Sequence, residues 1–317
     1  MLLGAAIIAA LAALGWLDAW SEESLRPGPW EDGRFSGLLG PWARWVAPPG
    51  FWLLPALVAF TFFATDEILG LAEAAGVRPL RGPAFLANLL LWAGDIFLVF
   101  SPWLWTIDDA FLRLLPAGDM AGHRAWVLAV LALAASLILL GEMTRYERPG
   151  GALASAAATV FVFVYVGVML DFAFQLRLGW GVGALASWII AVKAGDIGAY
   201  TVGRLIGRHK LCPRVSPGKT VEGAVGALVF AVAGAWASLV WLVPTAGRHP
   251  LACLVYGLLM GITGMFGDLA ESLLKRDAGV KDSSRWMPGF GGVLDILDSL
   301  LLSAPVAWLC WSLGLLG

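Results

Sequence analysis

The sequence predicts an all-α polytopic integral membrane protein with about nine transmembrane helices. Apolar residues make up 59% of the chain and charged residues 14%, and the mean hydropathy is +0.79. A soluble domain has about 25% charged residues, so this chain lacks the polar surface that a globule in water needs. Several apolar runs also reach the ~20 residues that cross a bilayer. These observations favour a membrane protein over a soluble one.

The predicted spans are separated by connections rich in Gly, Pro and charged residues, which are typical of turns. The spans fall near residues 1–17, 51–70, 84–105, 125–143, 152–174, 182–206, 222–243, 251–273 and 291–316. No lysine or arginine precedes the first apolar run, so we interpret it as a retained span and not as a cleaved signal peptide. Residues 18–50 are rich in Trp, Pro and Gly, which indicates an interfacial segment.

The distribution of Lys and Arg predicts the orientation in the membrane. With a cytoplasmic N-terminus, both strongly basic connections, 204–219 and 275–285, face the cytoplasm. Basic connections are retained on the cytoplasmic side, so we predict that the N-terminus is cytoplasmic and the C-terminus outside. We expect the location to be the inner (cytoplasmic) cell membrane.

Three predicted helices carry polar residues at spacings of three, four or seven, which place them on one helix face. These groups are Lys193, Asp196 and Tyr200; Asp268, Glu271, Ser272 and Lys275; and Asp295, Asp298 and Ser299. A charged residue inside a membrane costs roughly 2.5–3.5 kcal/mol on insertion scales, so such residues usually serve a function. The alternatives are that Lys193 and Asp196 only neutralise each other, and that the second group is solvated at the membrane edge.

The third face predicts a bound cation. Asp295 and Asp298 have no lysine or arginine on their own helix face to pair with. Carboxylate oxygens suit Mg²⁺ that is held together with substrate phosphates. Asp268 reaches the same ion if its helix and the next form a hairpin, which the short loop between them favours. We therefore predict Asp268, Asp295 and Asp298 as metal ligands.

The loop at 213–223 resembles a nucleotide-binding P-loop only in part, because Pro213 stands where that motif needs its first glycine. No strand is expected before it. Ser216 and Lys219 still offer a hydroxyl and a positive charge to a phosphate at a helix start. The alternative is ordinary positive charge on a cytoplasmic loop. With the carboxylates, the loop indicates an intramembrane enzyme that binds a divalent metal and a polyphosphate.

The three histidines give no sign of a metal site. His123, His209 and His249 lie in predicted polar connections, and none has a His or Cys partner at ligand spacing. We expect them to be solvated residues or neighbours of phosphate, and not metal ligands.

The stretch from Ser272 to Asp298 resembles the signature of the phosphatidate cytidylyltransferase (CDP-diacylglycerol synthase) family. The similar residues are Ser272-x-x-Lys275-Arg276-x4-Lys281-Asp282 and then Pro288-Gly289-x-Gly291-Gly292-x-x-Asp295-x-x-Asp298. Upstream stretches at 193–200, 216–223 and 267–272 are similar to other stretches of the family, in the same order. The resemblance covers residues 190–300 with specific motifs.

The resemblance implies that CTP reacts with phosphatidate to give CDP-diacylglycerol and diphosphate, with Mg²⁺ and a second cation such as K⁺. It implies that Asp268 and Asp295 hold metal, that Asp298 is a further carboxylate, and that Lys275 faces the phosphates. Lys275, Asp268 and Asp295 are thus the expected catalytic residues. The residues expected to bind substrate and nucleotide are Lys193, Asp196, Tyr200, Ser216, Lys219, Arg276, Lys281 and Asp282.

On this interpretation residues 1–150 form a scaffold of helices and residues 151–317 the catalytic region of one continuous membrane domain. The expected partners are CTP, phosphatidate or a related lipid phosphate and membrane lipid, with no nucleic acid. A face of Gly257, Gly261 and Gly264 is compatible with packing within one chain or across a homodimer.

Two positions depart from the family pattern. Phe290 stands where the family usually has His, and Ile296 where it usually has Arg. The carboxylates remain, so metal binding is expected, whereas the choice of lipid phosphate and turnover itself are left open. Three alternatives therefore stay open: a CTP-dependent lipid-alcohol kinase, a transporter that uses Lys193, Asp196 and Asp171, and an inactive paralogue.

Overall fold

Long helices dominate the computed structural model, which describes residues 13–20, 50–104, 120–147, 149–284 and 291–316. Residues 13–20 are helical. The further elements are α1 (Leu54–Ala74), α2 (Arg81–Leu104), α3 (Met120–Thr144), α4 (Ala152–Val162), a π-helix (Phe163–Val168), α5 (Met169–Ile206), β1 (Lys210–Cys212), β2 (Ser216–Thr220), α6 (Val221–Leu242), α7 (Pro244–Gly247), α8 (Pro250–Asp277) and α9 (Leu294–Ser312).

Six helices in this part of the chain are long and apolar enough to cross a membrane. They are Leu54–Ala74, His123–Thr144, Ala152–Ile206, Val221–Leu242, Pro250–Asp277 and Leu294–Ser312. The prediction of a helical, multi-pass membrane protein is therefore confirmed. Most of the span predicted at 1–17 lies outside the described residues. The number of nine spans and the orientation of the termini stay predictions.

The helical run Ala152–Ile206 is broken at Gly181. The run has 55 residues, which is ~80 Å at 1.5 Å per residue and more than twice the thickness of a bilayer core. Gly181 has a φ of 84°, in the left-handed region that glycine tolerates. After this break the chain runs antiparallel to α9, because Trp180 packs on Trp308 whereas Lys193 contacts Ser299. The break lies between the spans predicted at 152–174 and 182–206.

Glycines bring α5, α6, α8 and α9 into close contact. A side chain at Gly198 would collide with the backbone of Gly226 on α6, and one at Gly267 with the carbonyl of Asp298 on α9. The face at Gly257, Gly261 and Gly264 packs against α5, α6 and α9 of the same chain. This close approach positions the polar residues of α8 beside those of α9.

A two-stranded antiparallel hairpin interrupts the helices. Lys210 pairs with Thr220, and Cys212 pairs with Ser216. The expectation that no strand precedes the 213–223 loop is therefore wrong, since β1 does. Pro and Gly are poor strand formers, so local propensity gave no signal for this hairpin.

The basic connections meet at one end of the bundle, which we call the basic end. Three contacts join them: Arg145 donates to the carbonyl of Arg78, Ser283 donates to Glu67, and Arg276 donates to the carbonyl of Val215. Arg248 follows α7 at the other end of α6. The structure thus groups the same connections that the charge pattern assigned to the cytoplasm.

We predict that single cysteines at Arg78, Lys210 and Lys281 react from the same side of the membrane, whereas a cysteine at Arg248 reacts from the other. The background is a variant in which Cys212, Cys253 and Cys310 are replaced by Ser. Labelling with a membrane-impermeant maleimide in intact and inverted vesicles measures this. Equal labelling of Arg248→Cys and Lys281→Cys in both preparations contradicts the arrangement.

Candidate active site

Three carboxylates meet at the basic end. Asp268 and Glu271 come from α8 and Asp298 from α9, and one oxygen of each lies within 4.8 Å of the others. Glu271 is only 1% exposed. Gly267 lets the two helices approach closely at this level, since no side chain fits between it and Asp298. Asp268 of α8 and Asp298 of α9 therefore lie side by side, as the predicted hairpin of these two helices requires.

Asp295 lies beside this group and is bound to its own loop. One carboxylate oxygen is 2.6 Å from Lys275 Nζ, and the other accepts hydrogen bonds from Ser283 and from the backbone N–H of Gly292. The expected metal-ligand role of Asp295 would require its carboxylate to exchange these partners for the ion. Its position in the first turn of α9 directs it to the loop that precedes the helix.

Lysines from other elements pair with Asp295 and Asp298, which have no basic residue on their own helix face. Lys275 Nζ lies 2.6 Å from both Glu271 and Asp295. Lys193 Nζ lies 3.0 Å from Asp196 and 3.8 Å from Asp298. Asp295 and Asp298 therefore have basic partners, although none of these lies on their own helix face. Helix spacing identifies partners on the same helix only, and these lysines come from α8 and α5.

The charges of this group fit a divalent cation. Lys219 Nζ completes the set, 2.8 Å from Asp268. Among the described residues, these ion pairs connect five carboxylates to three lysines, which leaves a formal charge of −2. The clustered donors are carboxylate oxygens, the ligands that Mg²⁺ prefers. The residues present therefore suit Mg²⁺.

A cavity of about 420 Å³ opens next to the carboxylates, between α5, β2, α6 and α8. Its volume is within the range of small-molecule sites. The predicted site residues that line it are Asp196, Tyr200, Ser216, Lys219 and Asp268. Arg204 also lines it and donates a hydrogen bond to the hydroxyl of Tyr200. Five residues that were selected from three separate stretches thus line a single cavity.

The other predicted residues lie around this cavity without lining it. Lys193 contacts Asp196 and Ser299 behind the cavity wall. Arg276 donates to the carbonyls of Val215 and Val280. Lys281 and Asp282 are exposed in the loop after α8. Neither Lys281 nor Asp282 lines the cavity.

Glu67, which no sequence pattern singled out, fixes the start of α9. Its carboxylate accepts hydrogen bonds from the backbone N–H groups of Val293 and Leu294 and from the hydroxyls of Ser283 and Ser284. A carboxylate at a helix N-terminus stabilises the helix through free N–H groups and the dipole.

Gly292 has a steric reason to be glycine. A Cβ atom at this position would collide with the Glu67 carboxylate and the Ser283 hydroxyl. The glycine therefore leaves the space that Glu67 needs to reach the start of α9. This relation explains one glycine of the signature without reference to substrate.

Tyr165 is another residue that the sequence did not single out. It lies in the π-helix, is 4% exposed, and is near enough to Glu271, Asp298 and Asp268 for their charges to act on its hydroxyl. π-Helical turns are often found at functional sites. The irregular turn therefore belongs to the surroundings of the carboxylates.

Of the two positions that depart from the family pattern, the structure describes one, Ile296. Phe290 lies outside the described residues. The side chain of Ile296 packs against the hydrophobic core, and its carbonyl lies 3.3 Å from Lys193 Nζ. At this position the backbone contributes a polar contact and the side chain an apolar one.

The fold and the site define a class: a multi-pass helical membrane protein with a lysine–carboxylate cluster beside a cavity of nucleotide size. A comparison with protein families narrows this class. The cytidylyltransferase family model matches residues 39–313, and the chain belongs to this family.

The proteins similar to this chain include one that matches most of its length and several that match about two fifths of it. "Uncharacterized protein YnbB" of Escherichia coli (strain K12) is 32% identical over 270 residues, which are 80% of this chain and 78% of that protein. The phosphatidate cytidylyltransferase of Mycobacterium leprae (strain TN) is 44% identical over 128 residues, 40% of each chain. That of Synechocystis sp. (strain ATCC 27184 / PCC 6803 / Kazusa) is 45% identical over 121 residues, 37% of this chain and 39% of that protein. The matched region thus spans about two fifths of these two phosphatidate cytidylyltransferases.

We predict that Glu67→Ala lowers the free energy of unfolding by about 3 kcal/mol, because buried N–H donors at the start of α9 lose their acceptor. Glu67→Gln should have a smaller effect, since one acceptor oxygen remains. Denaturant titration in detergent micelles measures both. Glu147→Ala, at an exposed position, is the control and should change stability by less than about 0.5 kcal/mol. Equal stability of Glu67→Ala and Glu147→Ala contradicts the capping role.

Proposed function

We propose that the protein transfers a cytidylyl group from CTP to a lipid phosphate, phosphatidate, and releases diphosphate. The observation that carries this proposal is the cavity lined by Asp196, Tyr200, Ser216, Lys219 and Asp268, in a member of the cytidylyltransferase family. Phosphatidate cytidylyltransferases among its relatives support the choice of substrate and product. The reaction takes place at the cytoplasmic face of the inner cell membrane, where the basic end would meet CTP.

Asp268 and Asp298, with Glu271 beside them, would hold Mg²⁺. When bound, this ion would neutralise phosphate charge and polarise the phosphorus under attack. The formal charge of −2 around these residues supports a divalent ion. A second cation such as K⁺ stays an expectation from the resemblance.

Lysines would bind and orient the phosphates. Lys219 sits at the cavity wall and would exchange Asp268 for a phosphate oxygen of CTP. Lys275 would stabilise the charge that develops on diphosphate as it leaves. Lys193 holds Asp196 and Ser299 in place between α5 and α9. Its role is positioning, since it contacts the cavity wall from behind.

The chemical step needs no general base from the protein. An ionised phosphate oxygen of phosphatidate forms a bond to the α-phosphorus of CTP, and the bond from that phosphorus to the bridging oxygen of the β-phosphate breaks. The electron pair leaves with diphosphate. The protein's contribution is to align the two phosphates and to exclude water from the reacting phosphorus.

Purified protein with α-³²P-labelled CTP, Mg²⁺ and phosphatidate tests the proposal. We expect label in a chloroform-soluble CDP-lipid and release of unlabelled diphosphate in equal amount. The CTP-dependent lipid-alcohol kinase predicts labelled CDP in the aqueous phase instead. Label in neither product, with lipid phosphates and with a lipid alcohol each supplied as acceptor, excludes both enzyme hypotheses and leaves the transporter and the inactive paralogue.

We predict that Asp268→Asn and Asp298→Asn each lower turnover by about 100-fold or more and raise the Mg²⁺ concentration that gives half-maximal rate.

Asp295→Asn should lower turnover because Lys275 loses its partner, and it should leave the Mg²⁺ concentration for half-maximal rate unchanged. If Asp295→Asn instead raises this Mg²⁺ concentration, Asp295 is itself a metal ligand. The matched control is Asp277→Asn, at an exposed position on the same helix as Asp268, which should keep full activity. Full activity of Asp268→Asn would refute the assignment.

A further inference from the structure

A second polar cluster lies away from the carboxylates of the basic end. Asp95 on α2, His123 on α3 and Asp171 on α5 each contribute a ligand atom within 4.8 Å of the other two. Gln175 is one turn from Asp171, and its amide nitrogen lies 3.0 Å from Asp95, 2.8 Å from His123 Nε2 and 3.4 Å from Asp171, so it faces all three residues. The expectation that His123 is solvated is wrong: it is 2% exposed. The sequence placed it in a connection, whereas α3 begins at Met120 and brings it into the bundle.

This cluster contains negative charge without a lysine or arginine partner among the described ion pairs. Arg177 pairs with Asp18, and the guanidinium of Arg124 lies over the ring of Trp308. Asp95 and Asp171 are 0% and 4% exposed, and within the described ranges His123 is the ion-pair partner of both. Two carboxylates in an apolar bundle are costly unless a cation or a proton is shared between them.

Three atoms in the cluster point to a ligand. Asp95 Oδ2, His123 Nδ1 and Gln175 Oε1 are buried and have no hydrogen-bond partner in the described part of the chain. Buried polar atoms normally have partners, so orphaned atoms on three neighbouring residues indicate a missing one. All three atoms can act as acceptors or metal ligands.

The distances suit a metal ion of the transition series. A single ion binds one ring nitrogen of His123: Nδ1, which has no hydrogen-bond partner among the described residues, lies 3.7 Å from Asp95, whereas Nε2 lies 2.8 Å from the Gln175 amide nitrogen and 3.2 Å from Asp171. Ligand atoms around a tetrahedral Zn²⁺ are about 3.4 Å apart, given bonds of ~2.1 Å. A donor set of one imidazole and two carboxylates fits Zn²⁺ or Mn²⁺ better than Mg²⁺, which prefers oxygen alone.

An opening makes the cluster accessible to an ion. A cavity of about 290 Å³ is lined by His123, Asp171, Gln175 and Arg124, among others. Two of the three proposed ligands, His123 and Asp171, thus border a cavity, whereas Asp95 lies behind them. The cavity also provides room for a water molecule as a further ligand.

We propose that Asp95, His123 and Asp171 form a divalent metal site of the Zn²⁺ or Mn²⁺ type that joins α2, α3 and α5. Gln175 is the residue that holds Asp95 in position. The ion neutralises the two buried carboxylates and links the N-terminal helices to the helical run that leads to the basic end. Its role is structural, and it is separate from the Mg²⁺ proposed at Asp268 and Asp298.

Metal analysis of the full chain, purified with a tag that contains no histidine, tests this site. After removal of loosely bound metal and incubation with Zn²⁺, we expect about one Zn²⁺ per chain in an Asp268→Asn background. Asp95→Asn and His123→Gln should each weaken binding at least tenfold. His249→Gln, at an exposed position, is the matched control and should retain the ion. Equal Zn²⁺ binding by Asp95→Asn and the control overturns the proposal.

A spectroscopic test on the unsubstituted protein covers the case in which variants do not fold. The chain has three histidines, and the carboxylate group at the basic end contains none. Pulsed EPR of bound Mn²⁺ should therefore show coupling to an imidazole nitrogen, which His249→Gln and His209→Gln leave in place. Absence of nitrogen coupling at saturating Mn²⁺ overturns the proposal and assigns the cluster to a proton-sharing hydrogen-bond network.

Discussion

Pairing of charges between helices is the constraint on which the basic end depends. Lys193, Lys219 and Lys275 each reach a carboxylate on a different element or a different helical turn, and together they tie α5, β2, α8 and α9 to one point. An unpaired charge buried between helices costs several kcal/mol. The helices are therefore held in positions where the ion pairs can form. The same pairs leave a formal excess of negative charge. The arrangement that fixes the helices therefore also suits the cation that we propose for this site.

The position of α6 places this site close to lipid. Its small residues Gly223 and Gly226 pack against α5, whereas Val225 and Val229 on its other side are exposed. One helix, α6, thus lies between the cavity and this exposed apolar surface. A water-soluble nucleotide and a lipid would approach such a cavity from different directions, one through the basic end and one through the bilayer.

Local patterns predicted the long apolar helices and, through helix-face spacing, three residues that line the cavity: Asp196, Tyr200 and Asp268. Lys193, Asp196, Asp268 and Asp298 were recognised in this way. The same rules missed Glu67, Tyr165 and the buried state of His123, since each depends on residues far away in the chain or on an irregular turn. They also left Asp295 and Asp298 without partners, because no spacing rule reports a lysine from another helix.

The Glu67 cap has a consequence for how the protein is made. Glu67 and the N–H of Leu294 that it accepts are separated by 227 residues. At 5–20 residues per second the ribosome needs roughly 10 to 45 s to synthesise this interval. During that time the Glu67 carboxylate lacks the N–H donors of Val293 and Leu294. The contact that joins α1 to the start of α9 can therefore form only after nearly all of the described chain has been synthesised.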